Sequence, residues 1–309
     1  MQTYTSDAAV IADQLVKTYN KGKVLAADQV SFRVAPGELF GLIGPDGAGK
    51  TSIFRMLTTL LLPDSGSASV DGLDIVTDYK QIRRRVGYMP GTFSLYPDLS
   101  IRENLEFFAT VFHTTIEENY HLIHDIYVQI EPFKDRKAGK LSGGMKQKLA
   151  LCCALIHKPT VLFLDEPTTG VDPVSRKEFW DMLQQLKAQG ITIIVSTPYM
   201  DEAARCDRIA LIQEGKILSI DTPAQLVASY PYHLYALRPD NMYTLLQALR
   251  EYPAVLNAYA SGEHAHLVSE QELDITRLTA YLAGKQSEPV KIHPVTPNIE
   301  DRFIQLLSH

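Results

Sequence analysis

Residues 44–51, GPDGAGKT, set three glycines, a lysine and a threonine in the order G-x-x-x-x-G-K-[ST]. Gly44, Gly47 and Gly49 let backbone N–H groups turn toward a phosphate, Lys50 can reach the terminal phosphates, and the Thr51 hydroxyl can hold Mg²⁺. Pro45, Asp46, Ala48 and Ser52 complete the loop and the first helical turn. The apolar stretch LFGLI precedes the motif and a helical pattern follows it, which is the context a phosphate-binding loop requires. A tight strand-to-helix turn with an exposed lysine is the other reading. Further on, VLFLDEP at 161–167 is an apolar strand that ends on two carboxylates. A strand buried on both faces ends in charge where that charge meets a ligand. Asp165 is placed for Mg²⁺ and Glu166 for an attacking water.

LSGGMKQKL at 141–149 supplies a second phosphate grip. Ser142 and the bare N–H groups of Gly143 and Gly144 open an apolar-periodic helix between Leu141 and Met145, and such a helix start attracts anions. One nucleotide cannot easily use both grips within one chain. With these three motifs the sequence resembles the ATP-binding subunits of ABC transporters, over about residues 8–221. In that family ATP lies between the phosphate loop of one subunit and the signature motif of another, here LSGGM. The subfamily closest in pattern drives ABC-2 type exporters. The resemblance implies ATP and Mg²⁺ as ligands, Tyr19 stacked on adenine, and Asp172 in a loop that crosses the dimer interface. Taken alone, Tyr19 reads as an edge-strand residue and Asp172 as a helix N-cap before Pro173.

Two positions depart from the family pattern. Gly91 in GYMPGTF stands where a glutamine is usual, and Pro198 in VSTPYMDEA stands where a histidine contacts the terminal phosphate. Proline offers neither a side-chain donor nor a backbone N–H. It does hold Thr197 extended and favours a helix start. Loss of one donor aimed at transition-state charge costs about 10²–10³ in rate. The expectation is a site that binds Mg-ATP and hydrolyses it slowly. A homodimer would then carry two impaired sites and a heterodimer one, and the heterodimer is favoured.

The elements that must position these residues follow from periodicity. Short β-branched strands alternate with longer helical patterns from about residue 8 to 221, which predicts an α/β fold with a mainly parallel sheet. LVKTY and VSFRV predict an antiparallel β edge, and residues 97–158 an inserted helical lobe. The resulting fold class is a P-loop NTPase of the ABC cassette type with a small α+β C-terminal domain. The cassette is assigned to 1–229, and 230–309 reads as a ferredoxin-like βαββαβ accessory domain.

Composition narrows the partners. Thirty basic against 36 acidic residues give a net charge of −6, which argues against nucleic acid. The longest apolar run, LALCCALI at 149–156, is far short of the roughly 18 residues of a membrane span. Separate transmembrane permease subunits are therefore expected, with this chain cytoplasmic and peripheral on the inner face of the membrane. Cys152, Cys153 and Cys206 read as small hydrophobes. A hydrolysis-deficient, nucleotide-gated regulatory subunit is the rival function, kept open by Gly91 and Pro198. A DNA-repair or translation protein would need a long coiled coil or a tandem second cassette.

Overall fold

The structure, a computed structural model, describes residues 8–238, 241–285 and 290–308. Residues 1–7 and 309, and Pro239 of the expected strand YHLYALRP, lie outside them. The chain divides into two compact units, Met1–Pro223 and Ala224–His309.

The first unit begins with β1 (Val10–Tyr19) and β2 (Val24–Val34), followed by the apolar β3 (Leu39–Ile43) and α1 (Lys50–Leu57). Next come β4 (Ser65–Val70), β5 (Leu73–Asp74), α2 (Tyr79–Arg85) and β6 (Val86–Met89). The helical lobe holds α3 (Ile101–Val111), α4 (Ile116–Tyr127) and α5 (Gly143–Leu155). After it run β7 (Val161–Asp165), α6 (Pro173–Ala188), β8 (Thr192–Thr197), β9 (Arg208–Gln213) and β10 (Lys216–Asp221), and the short α7 (Pro223–Ala228) starts on the last residue of this unit and continues into the second.

Six strands form the main sheet in the order β10-β9-β3-β8-β7-β6. All are parallel except β10, which returns antiparallel to β9. Every residue of β3, β7 and β8 is buried, as strands covered on both faces require. The antiparallel strands make their own four-stranded sheet, β2-β1-β4-β5, rather than extending the parallel one. The two sheets share one core, in which Phe32 stacks on Phe40 at 5.4 Å and Phe54 meets Phe163 edge-on at 5.7 Å. Helices α3 and α4 start with reciprocal caps, Ser100 with Glu103 and Thr115 with Glu118. All three cysteines are buried, and burial pushes the thiol pKa of each upward.

The second unit runs β11 (His233–Leu237), α8 (Met242–Arg250), β12 (Asn257–Ser261), β13 (His264–Ser269), α9 (Ile275–Ala283), β14 (Ile292–Pro294) and α10 (Ile299–Leu307). Its sheet is antiparallel in the order β12-β13-β11-β14. Residues of α8 and α9 pack with the sheet in a separate core that includes Tyr235, Leu245, Leu267 and Leu278. Asp301 is 1% exposed and accepts hydrogen bonds from Tyr259 Oη and the Asn298 N–H, with His266 Nδ1 at 2.7 Å. Burial alone would raise its pKa, but the bonds from His266, Asn298 and Tyr259 outweigh burial and hold the carboxyl below its ordinary value. A depressed carboxyl stabilises the fold above its unfolded pKa of about 3.9, and that stability is lost as pH falls through the folded value. Calorimetric unfolding of the full chain is therefore expected to weaken below pH 4, with Asp301→Asn flattening that acid dependence. An Asp301→Asn variant with the wild-type slope would contradict this account.

Candidate nucleotide-binding site

The parallel strands β3, β6, β7 and β8 end side by side, at Ile43, Met89, Asp165 and Thr197. The carboxyl edge of such a sheet is where α/β folds bind nucleotides. The loop after β3 is drawn in so tightly that only glycine fits: a Cβ on Gly44 would lie 2.2 Å from the Ile212 carbonyl oxygen, and one on Gly49 2.0 Å from that of Ala26. Gly49 also adopts φ 102°, a left-handed value that favours glycine. It precedes α1 without a side-chain cap, which leaves the N–H groups of the first turn to a ligand.

Lys50 is 3% exposed, and its ammonium donates to the carbonyls of Gly44 at 2.8 Å and Pro45 at 2.9 Å. Glu166 Oε1 stands 3.1 Å from the same nitrogen. The structure thus brings Lys50 together with the carboxylate expected to position water. Asp165, 2% exposed, accepts a hydrogen bond from Ser196 Oγ at 2.6 Å. Thr51 and Ser52 are half-buried in the first turn of α1, Ala48 is buried, and Asp46 and Gly47 are exposed at the tip of the loop. Tyr19 is half-buried at the end of β1, with its hydroxyl 3.1 Å from Ser52 Oγ. That contact ties the ring to the first turn of α1.

The two departures lie beside this cluster. A Cβ on Gly91 would be 3.1 Å from the Asp165 carbonyl oxygen and 3.8 Å from Glu166 Cβ. The loop after β6 therefore lies closer to the end of β7 than a larger residue comfortably allows. Pro198 follows β8, whose last residue Thr197 accepts from the Gly44 N–H at 3.2 Å. A 3-10 turn, Met200–Arg205, begins after Tyr199 where a short helix was expected.

Composition and motif spacing did not point to a second cluster behind Thr197. Glu202 is 3% exposed and accepts from Thr168 Oγ1 at 2.7 Å and Thr197 Oγ1 at 2.5 Å. Arg176 Nε is 3.6 Å from Glu202, and its guanidinium lies over the Tyr199 ring at 4.2 Å. The signal was present in STPYMDEA, where two hydroxyls end an apolar strand just as Asp165 and Glu166 follow another.

The signature residues lie elsewhere. Ser142 is exposed, and its Oγ accepts from the Met145 N–H at 3.4 Å at the head of α5. Leu141 is buried beneath it. A Cβ on Gly144 would meet Ser175 Oγ at 2.8 Å, and one on Gly143 would lie 3.5 Å from the Gly170 carbonyl. This helix start accordingly contacts the loop and helix that follow β7. Among the described residues no hydrogen bond joins it to the phosphate loop. Asp172 caps α6 by accepting from the Val174 and Ser175 N–H groups, and the Ser175 bond foremost holds its carboxyl below the ordinary value. A cleft of about 330 Å³ opens from Gly91 toward the helical lobe, lined by Phe93, Phe108, Phe112 and Lys146.

A sequence model of the ABC transporter family matches residues 27–169. The chain is 42% identical over 227 residues to the Nod factor export ATP-binding protein I of Burkholderia thailandensis, covering 72% of this chain and 74% of that one. The chain belongs to the ABC transporter ATP-binding proteins. It is also 38% identical over 308 residues to the probable multidrug ABC transporter ATP-binding protein YbhF of Escherichia coli K12. That alignment takes in 98% of this chain but 53% of YbhF, so the chain spans about half the length of that relative. Among solved structures, the ATP-binding cassette MJ0796, in a dimeric post-hydrolysis state bound to ADP and Pi, is 25% identical. It superposes with a TM-score of 0.63 over 69% of this chain and 98% of its own. The fold is that of the ABC cassette.

Lys50 is the side chain whose removal tests the site most directly. A charge-assisted hydrogen bond contributes about 1.5–3 kcal/mol, so Lys50→Ala should weaken Mg-ATP binding roughly ten- to hundredfold. Titration of the purified chain with a fluorescent ATP analogue measures this, and unchanged affinity would remove the phosphate-loop assignment.

Proposed function

We propose that this chain is the ATP-binding subunit that powers an ABC-2 type exporter, closing on a second cassette when ATP binds and hydrolysing it slowly at its own phosphate loop. The observation that carries the reading is the buried Lys50 ammonium, held by the Gly44 and Pro45 carbonyls and by Glu166 at the uncapped start of α1. The terminal phosphates of ATP would take over Lys50 from Glu166, which frees that carboxylate to orient an attacking water. The residues fit a divalent cation as well: Thr51 and Asp165 would hold Mg²⁺, which neutralises charge on the phosphate oxygens. Gly44, Pro45, Asp46, Gly47, Ala48, Gly49 and Ser52 form the cradle, and Tyr19 stacks on the adenine.

The exposed Ser142 and Gly143 at the head of α5 support a role toward a nucleotide held by another chain. Leu141, Gly144 and Met145 shape that surface, and Asp172 stands in the loop that would cross between subunits. The partner is a second cassette, a heterodimer by preference, because a sound phosphate loop there would be completed by this intact signature. Separate transmembrane subunits complete the assembly at the inner face of the membrane. The element order of the second unit supports reading 230–309 as a ferredoxin-like accessory domain that regulates or dimerises cassettes.

Gly91 and Pro198 favour a second reading, a hydrolysis-deficient subunit whose closure on ATP regulates a competent partner. Steady-state ATPase of the chain alone and of Gly91→Gln plus Pro198→His separates the two. The double variant is expected to turn over at least about tenfold faster, since one donor alone is worth about 10²–10³ and two need not add. The contact between a Cβ at 91 and the Asp165 carbonyl requires the loop to shift by a few tenths of an ångström, which makes Pro198→His alone the less strained control. Equal rates for all three proteins would refute the slow-site reading.

The cleft beside Gly91 supports docking of a membrane subunit. Phe93 and Tyr96 are 40% and 48% exposed, and Tyr96, Phe107 and Phe108 form a continuous aromatic ridge with ring distances of 4.8 and 5.4 Å. Phe93→Asp should abolish co-purification with a multi-span membrane protein while Mg-ATP affinity stays within twofold of wild type. Retained co-purification would move the docking surface elsewhere.

A further inference from the structure

Strand β8 ends in two consecutive hydroxyls, Ser196 and Thr197, both without solvent exposure, directly ahead of Pro198. Thr197 turns to Glu202. Ser196 lies opposite Asp165 in the parallel pairing of β7 with β8, and its Oγ donates to Asp165 Oδ1 at 2.6 Å. The same oxygen accepts from the Glu166 N–H at 3.0 Å, and that N–H also reaches the Ser196 carbonyl at 3.0 Å. One hydroxyl therefore holds the side chain of Asp165 and the backbone of Glu166.

Both halves of this contact matter to chemistry. A hydroxyl has one proton, and spending it on Oδ1 fixes the rotation of the Asp165 carboxylate. Among the described residues no hydrogen bond reaches Asp165 Oδ2, which is thus the oxygen left for a cation. Glu166 adopts φ 50°, a left-handed value uncommon for a residue with a side chain. Such a conformation persists only where its surroundings hold it, and the Ser196 hydroxyl and carbonyl both grip its N–H. With Gly91 and Pro198 offering no side-chain donor, Ser196 sets the relation between the two carboxylates.

We propose that Ser196 is a positioning residue of the ATP site, acting through Asp165 on the bound cation and through Glu166 on the attacking water. The proposal rests on the ATP-binding reading above. Its test is the Mg²⁺ dependence of ATP binding, measured with a fluorescent ATP analogue in EDTA and then with Mg²⁺ titrated in. Ser196→Ala is expected to leave affinity in EDTA within about twofold of wild type, since the phosphate loop and Lys50 are intact, and to cut the enhancement by Mg²⁺ at least fivefold. Ser196→Thr, which keeps the hydroxyl, should restore the enhancement.

A purely structural hydroxyl would instead lower the melting temperature of Ser196→Ala and leave the Mg²⁺ enhancement at the wild-type ratio, which would overturn the proposal. Should Ser196→Ala fail to fold, Ser196→Cys serves in its place, because a thiol of similar shape is a weak donor. Full Mg²⁺ enhancement in the cysteine variant likewise overturns the role. Wild-type protein that bound no ATP in either condition would sink the nucleotide reading as a whole, an outcome distinct from failure of the Ser196 role alone.

Discussion

A buried ammonium is the constraint around which the cassette is arranged. Lys50 is 3% exposed and is met by carbonyl and carboxylate oxygens, the partners that a buried amine requires. Supplying those oxygens requires the loop to turn tightly at the helix start, where the Ile212 and Ala26 carbonyls close in on Gly44 and Gly49 and leave no room for side chains. It also requires β7 to end beside β3's loop, so that Glu166 reaches the same point from a distant part of the sequence. The sheet order places β8 between β3 and β7, and the Thr197 carbonyl and the Ser196 hydroxyl then tie the two loops to that central strand.

This arrangement explains why changes at positions 91 and 198 leave the cradle standing. Neither residue contributes to holding Lys50, and both adjust backbone geometry where they sit. Gly91 lets its loop approach the Asp165 carbonyl, and Pro198 keeps the chain extended after β8 without using a backbone donor. Under the slow-site proposal, what these two positions lack is a side-chain donor for the reacting phosphate. The physical division is between binding, which depends on fixed backbone N–H groups and a cation, and chemistry, which depends on side chains aimed at charge that develops only in the transition state.

The two glycine-bearing helix starts, α1 and α5, differ in exposure. The phosphate loop is packed against β2 and the main sheet, whereas Ser142 and Gly143 stay exposed, with Asp172 in the neighbouring loop bound to its own helix. Under the proposed function, this exposed helix start would serve phosphate presented by a second chain. In the second unit a buried carboxylate again organises its surroundings: Asp301 collects His266, Tyr259 and the Asn298 N–H, and joins helix α10 to the sheet.

The sequence alone set the local backbone freedom and charge. Glycines at 44, 47 and 49, a lysine at 50 and carboxylates closing VLFLD fix backbone freedom and charge over a few residues, and strand and helix periods were readable because burial imposes them directly. Ser142, Asp165 and Lys50 could be named from spacing. Relations set by strand order could not. That β1 and β2 join β4 in an antiparallel sheet of their own, that Glu202 gathers Thr168 and Thr197, and, through the parallel register of β6, β7 and β8, that Ser196 stands opposite Asp165 and Gly91 abuts a carbonyl all depend on which strands the fold sets side by side. Tertiary packing chose those partners, because a buried hydroxyl or carboxylate is satisfied by whatever the sheet brings beside it.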